Sequence, residues 1–213
     1  MNAKNRFQTL TGDPTLVNPK LDMPPAEPMP LFQHWLEEAD RVGVIEPRGF
    51  VLSTISWTGW PSSRVLLLKE CNDAGIVFTT SERSQKGTEL AANPKAAGTL
   101  WWRETMQQVS FQGAVHKLSP QRSDEIFRAR PRPAQAVAVV SQQTDEIEDE
   151  KRMRREVKEL LNKAGAIKRP ETWHAYQLVV EMVEFWHGSS DRFHKRVRYD
   201  LVDGVWGYRR LQP

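Results

Sequence analysis

Residues 50–118 alternate short apolar runs with turn-forming residues, and this alternation most limits the folds open to the chain. Five runs have the composition of strands, at residues 50–56, 64–69, 76–80, 97–102 and 107–118. Asn72-Asp-Ala-Gly75 is one of the turns between them. Connections this short join antiparallel neighbours. The pattern therefore predicts a barrel-like antiparallel β core.

Helical patterns flank this core, and strand patterns return near the end of the chain. Helices are expected at 30–43, 85–92, 120–130, 135–140 and 146–163, and further strands at 175–186, 198–202 and 205–210. Asp203-Gly204 predicts a hairpin turn between the last two strands. The expected fold class is mainly β with peripheral helices, in a single domain over 31–213. The proline-rich segment 1–30 is expected to form an extended arm.

The composition favours a soluble globular protein and argues against several classes of function. Charged residues make up 27% and apolar residues 39% of the 213 residues, and the net charge is only +3. This charge is too small to imply nucleic-acid binding. No apolar run approaches the roughly 20 residues that cross a membrane, and no secretory signal precedes the first helix. Cys71 is the only cysteine, which excludes an intrachain disulfide and favours the cytoplasm.

The run Arg64-Val-Leu-Leu-Leu-Lys69 carries a cation at each end of an apolar strand. Such a strand suits the wall of a site for an anionic ligand, whereas a surface salt bridge is the competing interpretation for either cation alone. Positions five apart point to opposite faces of a regular strand. One ligand can therefore reach both cations only if the strand bulges or if the ligand passes its end.

Two further segments carry polar groups suited to an anionic, flat ligand. Ser84-Gln-Lys-Gly87 at a helix start offers backbone N–H groups, a hydroxyl and an ammonium, although an ordinary capped helix is the favoured interpretation of this segment alone. The loop 186–196 combines Trp186, two arginines and two histidines, and a polar hairpin loop is its competing interpretation. His187 and His194 lack the spacing of metal ligands, so no metal site is expected.

Together these motifs resemble the pyridoxamine 5′-phosphate oxidase family of FMN-binding split-barrel proteins. The matching pieces keep the family's order from about residue 45 onward, and they are Arg64-Val-Leu-Leu-Leu-Lys69, Phe78-Thr-Thr80, Ser84-Gln-Lys86, Gln108-Val, Arg130-Pro-Arg132, Val140-Ser-Gln-Gln143, Glu184-Phe-Trp186, Arg192-Phe-His194 and Arg210-Leu-Gln-Pro213. The resemblance implies an FMN-binding split β-barrel. It also implies a homodimer with the flavin sites at the interface.

The resemblance also implies which side chains form the site. The cofactor-binding residues would be Arg64, Val65, Leu66, Leu67, Lys69, Thr79, Thr80, Ser84, Gln85, Lys86, Gln108, Gln143, Thr144, Trp186 and Arg196. Lys69, Arg130, Arg192 and His194 match positions that face the substrate. His194 is the one candidate for a catalytic role, either binding a carboxylate or moving a proton.

Departures from the family pattern bear on the substrate. Ile126 and Ala134 stand where vitamin B6 phosphate oxidases place a tyrosine and a serine on the substrate phosphate, and Gln85 replaces a basic residue. A phosphate pocket that has lost two hydrogen-bonding groups binds phosphate poorly. The changes fit the phenazine-biosynthesis branch of the family, which the segment 102–108 also resembles.

The function expected from this resemblance is an FMN-dependent oxidase of phenazine biosynthesis. It would oxidise a partly reduced phenazine carboxylate, an aromatic carboxylate substrate, by hydride transfer to flavin N5 with dioxygen as final acceptor. Two alternatives stay open: a pyridoxine/pyridoxamine 5′-phosphate oxidase, and a flavin-binding protein without catalysis.

Overall fold

A computed structural model describes residues 11–213, and its strands form one antiparallel sheet. The strands are β1 (Gly49–Ile55), β2 (Pro61–Leu67), β3 (Glu70–Asn72), β4 (Gly75–Ser81), β5 (Lys95–Trp102), β6 (Gln107–Lys117), β7 (Trp173–His187), β8 (Lys195–Val202) and β9 (Val205–Leu211). Their order is β2-β1-β5-β6-β7-β4-β3, with β8 also pairing with β7 and β9 with β8. The predicted mainly β fold is confirmed.

β7 is the longest strand and joins the two parts of the sheet. One edge of β7 pairs with β6, and the other edge pairs with β4 near its start and with β8 near its end. Thr80 lies opposite His174 at one end, and Arg196 lies opposite Trp186 at the other. The sheet therefore divides along β7, so that β4 and β8 leave the same edge at different heights.

Five α-helices surround the sheet within the described residues, and a short 3₁₀ turn, Pro14–Leu16, precedes them. The helices are α1 (Pro28–Arg41), α2 (Gln85–Ala92), α3 (Pro120–Arg128), α4 (Arg132–Val140) and α5 (Glu150–Asn162). α1 begins two residues earlier than expected, at Pro28. α5 begins at Glu150 rather than near 146, because the Asp149 side chain accepts from Arg152 N and caps the helix there. No described helix is long and apolar enough to cross a membrane.

Two hydrophobic clusters hold these layers together. The larger one packs α1 onto the sheet through Phe32 and Trp35, both fully buried. The smaller one lies between the α3–α4 pair and strands β4 and β7, and it includes Ile126, Phe127 and Trp173. The smaller cluster fixes the position of the α3–α4 turn relative to β4, which is where a large cavity opens.

The arm predicted over 1–30 is only partly within the described residues, since 1–10 lie outside them. From residue 11 onward the arm packs on the domain. Trp35 Nε1 donates to Pro19 O at 2.9 Å, and Tyr199 Oη donates to Pro25 O at 2.8 Å. Leu21 is 1% exposed. Helix α1 begins at Pro28, within the segment predicted as the arm. The domain boundary at residue 30 stays a prediction.

The strand predicted over residues 64–69 begins and ends earlier in the structure. β2 spans Pro61–Leu67, so Ser62 and Ser63 belong to the strand and not to the preceding turn. Lys69 follows the strand end, and its N–H donates to Val77 O at 2.8 Å. Arg64 and Lys69 therefore do not share one regular strand, and the expected conflict between their faces does not arise. Asp203 and Gly204 form the predicted hairpin turn, with φ of 51° and 78°.

Candidate functional site

A buried ammonium group lies at the start of α2. Lys86 is 7% exposed. Its Nζ donates to Thr80 Oγ1 and Ser84 Oγ at 3.3 Å each and to Gln143 Oε1 at 3.2 Å. Because all three acceptors are uncharged, burial lowers the pKa of the Lys86 ammonium, and the nearby Arg64 charge adds to the effect. A cation held among neutral donors and acceptors is suited to an anionic ligand.

The first turn of α2 approaches β4 closely. Ser84 caps the helix, with its Oγ accepting from Gly87 N at 3.2 Å. A Cβ atom at Gly87 would lie 2.3 Å from Ser81 O, so glycine is required for this approach. Gln85 N donates to Thr144 Oγ1 at 3.0 Å, which ties the loop before α5 to the same place. The helix N-terminus therefore adds its dipole to the cation cluster.

Arg64 supplies the second cation from the middle of β2. Its Nη1 donates to Thr54 Oγ1 at 2.6 Å and to Leu52 O at 3.4 Å. Its Nη2 donates to Ser62 Oγ at 2.6 Å and to Glu89 Oε2 at 3.4 Å. The alternation of β2 points Val65 and Leu67 outward, where they are 70% and 46% exposed, while Leu66 packs against the larger core.

A cavity of about 450 Å³ opens beside this cluster. Its lining residues are Thr79, Thr80, Ser81, Arg130, Pro133, Ala134, Val137, Ala138, Ser141, Gln143 and Trp173. Ala134, Val137 and Ala138 present one face of α4, which makes that wall apolar. Ile126, expected on the same wall, is instead buried in the smaller hydrophobic cluster at 6% exposure.

Arg130 brings a positive charge to this cavity. Its Nη1 is buried and has no hydrogen-bond partner among the described residues. Burial lowers the pKa of Arg130, and it lowers the pKa of Lys69 with a further contribution from the charge of Arg130. The charge of Arg130 therefore reaches Lys69, and two cations that disfavour each other in this way suit an anionic ligand.

The remaining predicted residues meet at the other end of β7. Gln108 and Arg196 flank Trp186 on the neighbouring strands. The ring of Trp186 lies 4.7 Å from that of His194, and His194 Nδ1 accepts from Ser189 N at 3.0 Å. Arg196 forms an ion pair with Glu184 at 2.6 Å. His194 and Arg196 line a cavity of about 660 Å³ together with the terminal residues 210–213.

Arg192 lies on the loop beside this second cluster, next to the N-terminal arm. It has a positive φ of 68°. It lines a cavity of about 100 Å³ together with His194, Met106, Gly12 and Pro14. The contact between the arm and this loop was not anticipated from the sequence, since neither Gly12 nor Pro14 belongs to a recognisable motif.

One chain does not bring the two clusters together. Thr80 pairs with His174, and Trp186 follows twelve residues later on the same strand, a separation of roughly 40 Å for extended chain. The first cluster contains Arg64, Thr79, Thr80, Ser84, Gln85, Lys86, Gln143 and Thr144. Arg130 lines the adjoining cavity, and its charge reaches Lys69. The second contains Gln108, Trp186, Arg192, His194 and Arg196.

Two family models match successive parts of the chain. A family model described as pyridoxamine 5′-phosphate oxidase matches residues 36–164, more than half of the chain. The chain belongs to the pyridoxamine 5′-phosphate oxidase family. A second model, the pyridoxine 5′-phosphate oxidase C-terminal dimerisation region, matches residues 173–213 and so covers β7, β8 and β9. The predicted family and the predicted oxidoreductase class are confirmed, and membership supports a flavin cofactor.

Individual members of the family are similar over most of their length. A dihydrophenazinedicarboxylate synthase of Pseudomonas chlororaphis is 40% identical, covering 99% of this chain and 95% of the relative. A pyridoxine/pyridoxamine 5′-phosphate oxidase of Mannheimia succiniciproducens is also 40% identical, covering 88% and 89%.

Solved structures agree with the fold assignment. PhzG from Burkholderia lata 383, crystallised with tetrahydrophenazine-1-carboxylic acid, superposes with a TM-score of 0.90 at 38% identity, covering 92% of this chain and 98% of that one. An FMN-binding, pyridoxamine 5′-phosphate oxidase-related protein from Nostoc punctiforme has a TM-score of 0.73 at 16% identity, covering 91% and 100%, and shares the fold. The predicted split barrel is therefore confirmed.

Proposed function

We propose that this chain is an FMN-dependent oxidase that acts on a partly reduced phenazine carboxylate, with dioxygen as the final electron acceptor. The observation that carries the proposal is the apolar α4 wall of the cavity beside the cation cluster, where Ala134 offers no hydrogen bond to a substrate phosphate. The full-length similarity to dihydrophenazinedicarboxylate synthases supports the same substrate class. A cytoplasmic location is part of the proposal.

The residues of the first cluster fit the phosphate of FMN. The buried Lys86 ammonium has only neutral hydrogen-bond partners, and the hydroxyls of Thr80 and Ser84 adjoin it. Arg64, whose terminal nitrogens donate to neighbouring protein groups, adds a second positive charge beside them. Gly87 allows the α2 N-terminus to approach closely. This donor set favours FMN over a flavin without phosphate. The chemistry that FMN supplies when bound is hydride acceptance at N5 and reoxidation by dioxygen.

A homodimer would complete the site. The first cluster lies at one end of β7, and Trp186 lies at the other end with Gln108 and Arg196 beside it. A second copy therefore has to supply these three residues if they act on the same flavin. The cross-strand pair Val51 and Val65 is 38% and 70% exposed on the outer face of the sheet. Exposed apolar side chains of this kind suit burial against a partner. The second copy would thereby bring Trp186 to the flavin ring.

The substrate would lie between cations from both copies. Lys69 and Arg130 of one chain would bind one carboxylate, and Arg192 with His194 of the other would bind the opposite side. The rings of Trp173 and Trp186 would bound the flat substrate and exclude water. His194 Nδ1 already accepts from Ser189 N, which leaves Nε2 to contact a carboxylate or carry a proton.

Anaerobic half-reactions test the proposal. Purified protein reconstituted with FMN should bleach at the flavin absorption band on adding a dihydro- or tetrahydrophenazine carboxylate, and the band should return with air. Pyridoxine 5′-phosphate should bleach it much more slowly. Efficient bleaching by pyridoxine 5′-phosphate alone would establish vitamin B6 phosphate oxidation, which the 40% identity to the Mannheimia succiniciproducens enzyme keeps as the second candidate. Bound flavin that no substrate reduces would indicate a binding protein without catalysis.

A further inference from the structure

Glu89 of α2 is a buried carboxylate to which no role has been given so far. It is 6% exposed. Its Oε2 accepts from Thr54 Oγ1 at 2.5 Å, from Ser62 Oγ at 2.7 Å and from Arg64 Nη2 at 3.4 Å, and its Oε1 accepts from Gln85 Nε2 at 2.9 Å. A carboxylate this deeply buried is retained only where it is fully hydrogen-bonded.

The surroundings of Glu89 keep it ionised. Burial on its own raises the pKa of the carboxyl, but the hydrogen bonds from Thr54, Ser62 and Gln85, with the charge of Arg64, outweigh it and lower the pKa. A negative charge therefore lies between strands β1 and β2 and the start of α2. It offsets part of the repulsion between the Arg64 guanidinium and the Lys86 ammonium.

The same contacts hold the Arg64 side chain in one orientation. Thr54 Oγ1 donates to Glu89 and accepts from Arg64 Nη1, while Ser62 Oγ donates to Glu89 and accepts from Arg64 Nη2. Both hydroxyls have their single proton directed at the carboxylate, so their lone pairs face the guanidinium. Without Glu89 the two hydroxyls are free to turn, and Arg64 loses the partners that fix its fork.

We propose that Glu89 is a positioning residue for the phosphate end of the flavin site, acting through Thr54 and Ser62 to orient Arg64. This inference rests on the proposed cofactor, FMN. Loss of Glu89 should therefore weaken the binding of a ligand that carries a phosphate, because the Arg64 side chain would no longer be held in place. A merely structural role would weaken the binding of any flavin and destabilise the cofactor-free chain alike.

The test compares FMN with riboflavin, which lacks the phosphate, by quenching of flavin fluorescence on binding. Glu89→Ala should weaken FMN binding by roughly 10-fold, the lower end for loss of a supporting hydrogen-bond partner of a bound ion, and leave riboflavin binding within about 2-fold. Glu89→Gln keeps an acceptor oxygen for the two hydroxyls, and the exposed Gln85 amide can rotate to match it. This variant should recover most of the lost affinity.

Two comparisons make the result specific. Glu82→Gln changes a carboxylate in the connection between β4 and α2, where its partners are Lys117 and His174, and should leave both affinities unchanged. In an Arg64→Ala background, Glu89→Ala should have no further effect on FMN binding, since the group it positions is gone. If Glu89→Ala misfolds, Glu89→Met, which also removes both acceptor oxygens but keeps most of the side-chain volume, gives the same comparison in the two backgrounds.

Three outcomes would overturn the inference: equal loss of FMN and riboflavin, no loss of either, or additive losses in the Arg64→Ala background. These outcomes differ from failure of the proposed function. In that case the wild-type chain would bind neither flavin, or would bind both with equal affinity.

Discussion

The guanidinium carbon of Arg130 lies 5.1 Å from the centroid of the Trp173 ring. Phe127 lies on the same side, with its ring centroid 5.9 Å away. The aromatic rings attract the cation through their faces, although they satisfy none of its N–H groups. Arg130 Nη1 therefore stays buried without a hydrogen-bond partner in the described chain. This relationship places a positive charge at the wall of the cavity of about 450 Å³ beside the first cluster, which suits the anionic substrate proposed above.

Replacing Arg130 by methionine should separate its role in binding from its role in stability. Arg130→Met keeps much of the volume and removes a poorly satisfied charge, so the free energy of unfolding should be unchanged or higher. KM for a phenazine carboxylate should rise roughly 10- to 100-fold, since charge-assisted contacts contribute about 1.5–3 kcal/mol. Steady-state kinetics and urea unfolding measure the two effects. A destabilised variant with normal KM would show that Arg130 is only structural.

Arg192 should affect turnover more than cofactor binding. Arg192→Ala is expected to lower kcat/KM by roughly 10- to 100-fold, with FMN affinity within about 2-fold of the wild type. Arg209→Ala is the matched control, because Arg209 is an exposed arginine of β9 that pairs with Asp200. If Arg192→Ala strips FMN and the reconstituted enzyme is fully active, Arg192 belongs to the flavin site and not to the substrate site.

Lys86 should give the cofactor-free protein a distinctive response to alkaline pH. Its pKa is lowered by burial first and by Arg64 second, so the folded chain releases this proton at lower pH than the unfolded chain. Between the two pKa values the unfolded state binds more protons, and the Lys86 contribution to the free energy of unfolding rises with pH. FMN affinity should fall over the same window, because a neutral amine attracts phosphate less.

Lys86→Met removes this titration. Urea unfolding of cofactor-free protein at several pH values up to about 10, the ordinary range of lysine, should show a shallower rise for the variant. At neutral pH its FMN affinity should be roughly 10- to 100-fold weaker. The exposed Lys95→Met is the control for a lysine outside the cluster. If the free energy of unfolding depends on pH identically in Lys86→Met and the wild type, Lys86 does not cause the rise at alkaline pH.

Burial, more than the ion pair at its side, should hold the N-terminal arm. Leu21 is 1% exposed, whereas the neighbouring Asp22 pairs with Lys195 at 2.6 Å across an exposed surface. Leu21→Ala should cost about 2–4 kcal/mol, and Asp22→Asn less than about 1 kcal/mol. Urea unfolding of both variants measures the difference. If Asp22→Asn lowers the free energy of unfolding more than Leu21→Ala does, the ion pair and not burial holds the arm.

Local signals made much of the architecture predictable from the sequence. The hairpin at Asp203-Gly204 needs positive φ at both positions, and the Ser84 cap satisfies a helix end directly beside it. Both depend on neighbours in the chain. The sharing of one β7 edge by β4 and β8 was not predictable, because pairing between distant strands leaves no periodic pattern.

The candidate site shows the same limit. The cations of the Arg64 run and the polar start of α2 stand out in the sequence, and the structure brings them into one electrostatic environment. Glu89 reads there as an ordinary helix glutamate, since only the folded chain places it against Thr54 and Ser62. The resemblance places Ile126 on the substrate wall, because its counterpart in the family is a tyrosine that contacts the substrate phosphate. In the structure, α3 instead buries Ile126 in the smaller hydrophobic cluster.

An exposed valine pair on the outer sheet face allows assembly and cofactor binding to be tested together. Val65 is 70% exposed in the single chain and lies opposite Val51 on β1. Because the resemblance assigns Val65 itself to the cofactor, the charge is placed at its cross-strand partner. Val51→Asp should prevent burial of this face against a second copy and give a monomer by light scattering. The first cluster and Trp186 lie at opposite ends of β7. A monomer would therefore lose the contacts that the second copy makes with the flavin. Its FMN affinity should be at least about 10-fold weaker, which corresponds to about 1.4 kcal/mol.

Ile147→Asp places the same charge at another exposed apolar position, 65% exposed before α5, and should leave both dimer and flavin intact. Thermal unfolding of the cofactor-free variants separates assembly from misfolding. A Val51→Asp protein that stays folded, is monomeric and binds FMN with wild-type affinity would mean that one chain holds the cofactor alone. The second cluster, with Trp186 and Arg196, would then have to serve a different ligand from the one that Lys86 and Arg64 attract.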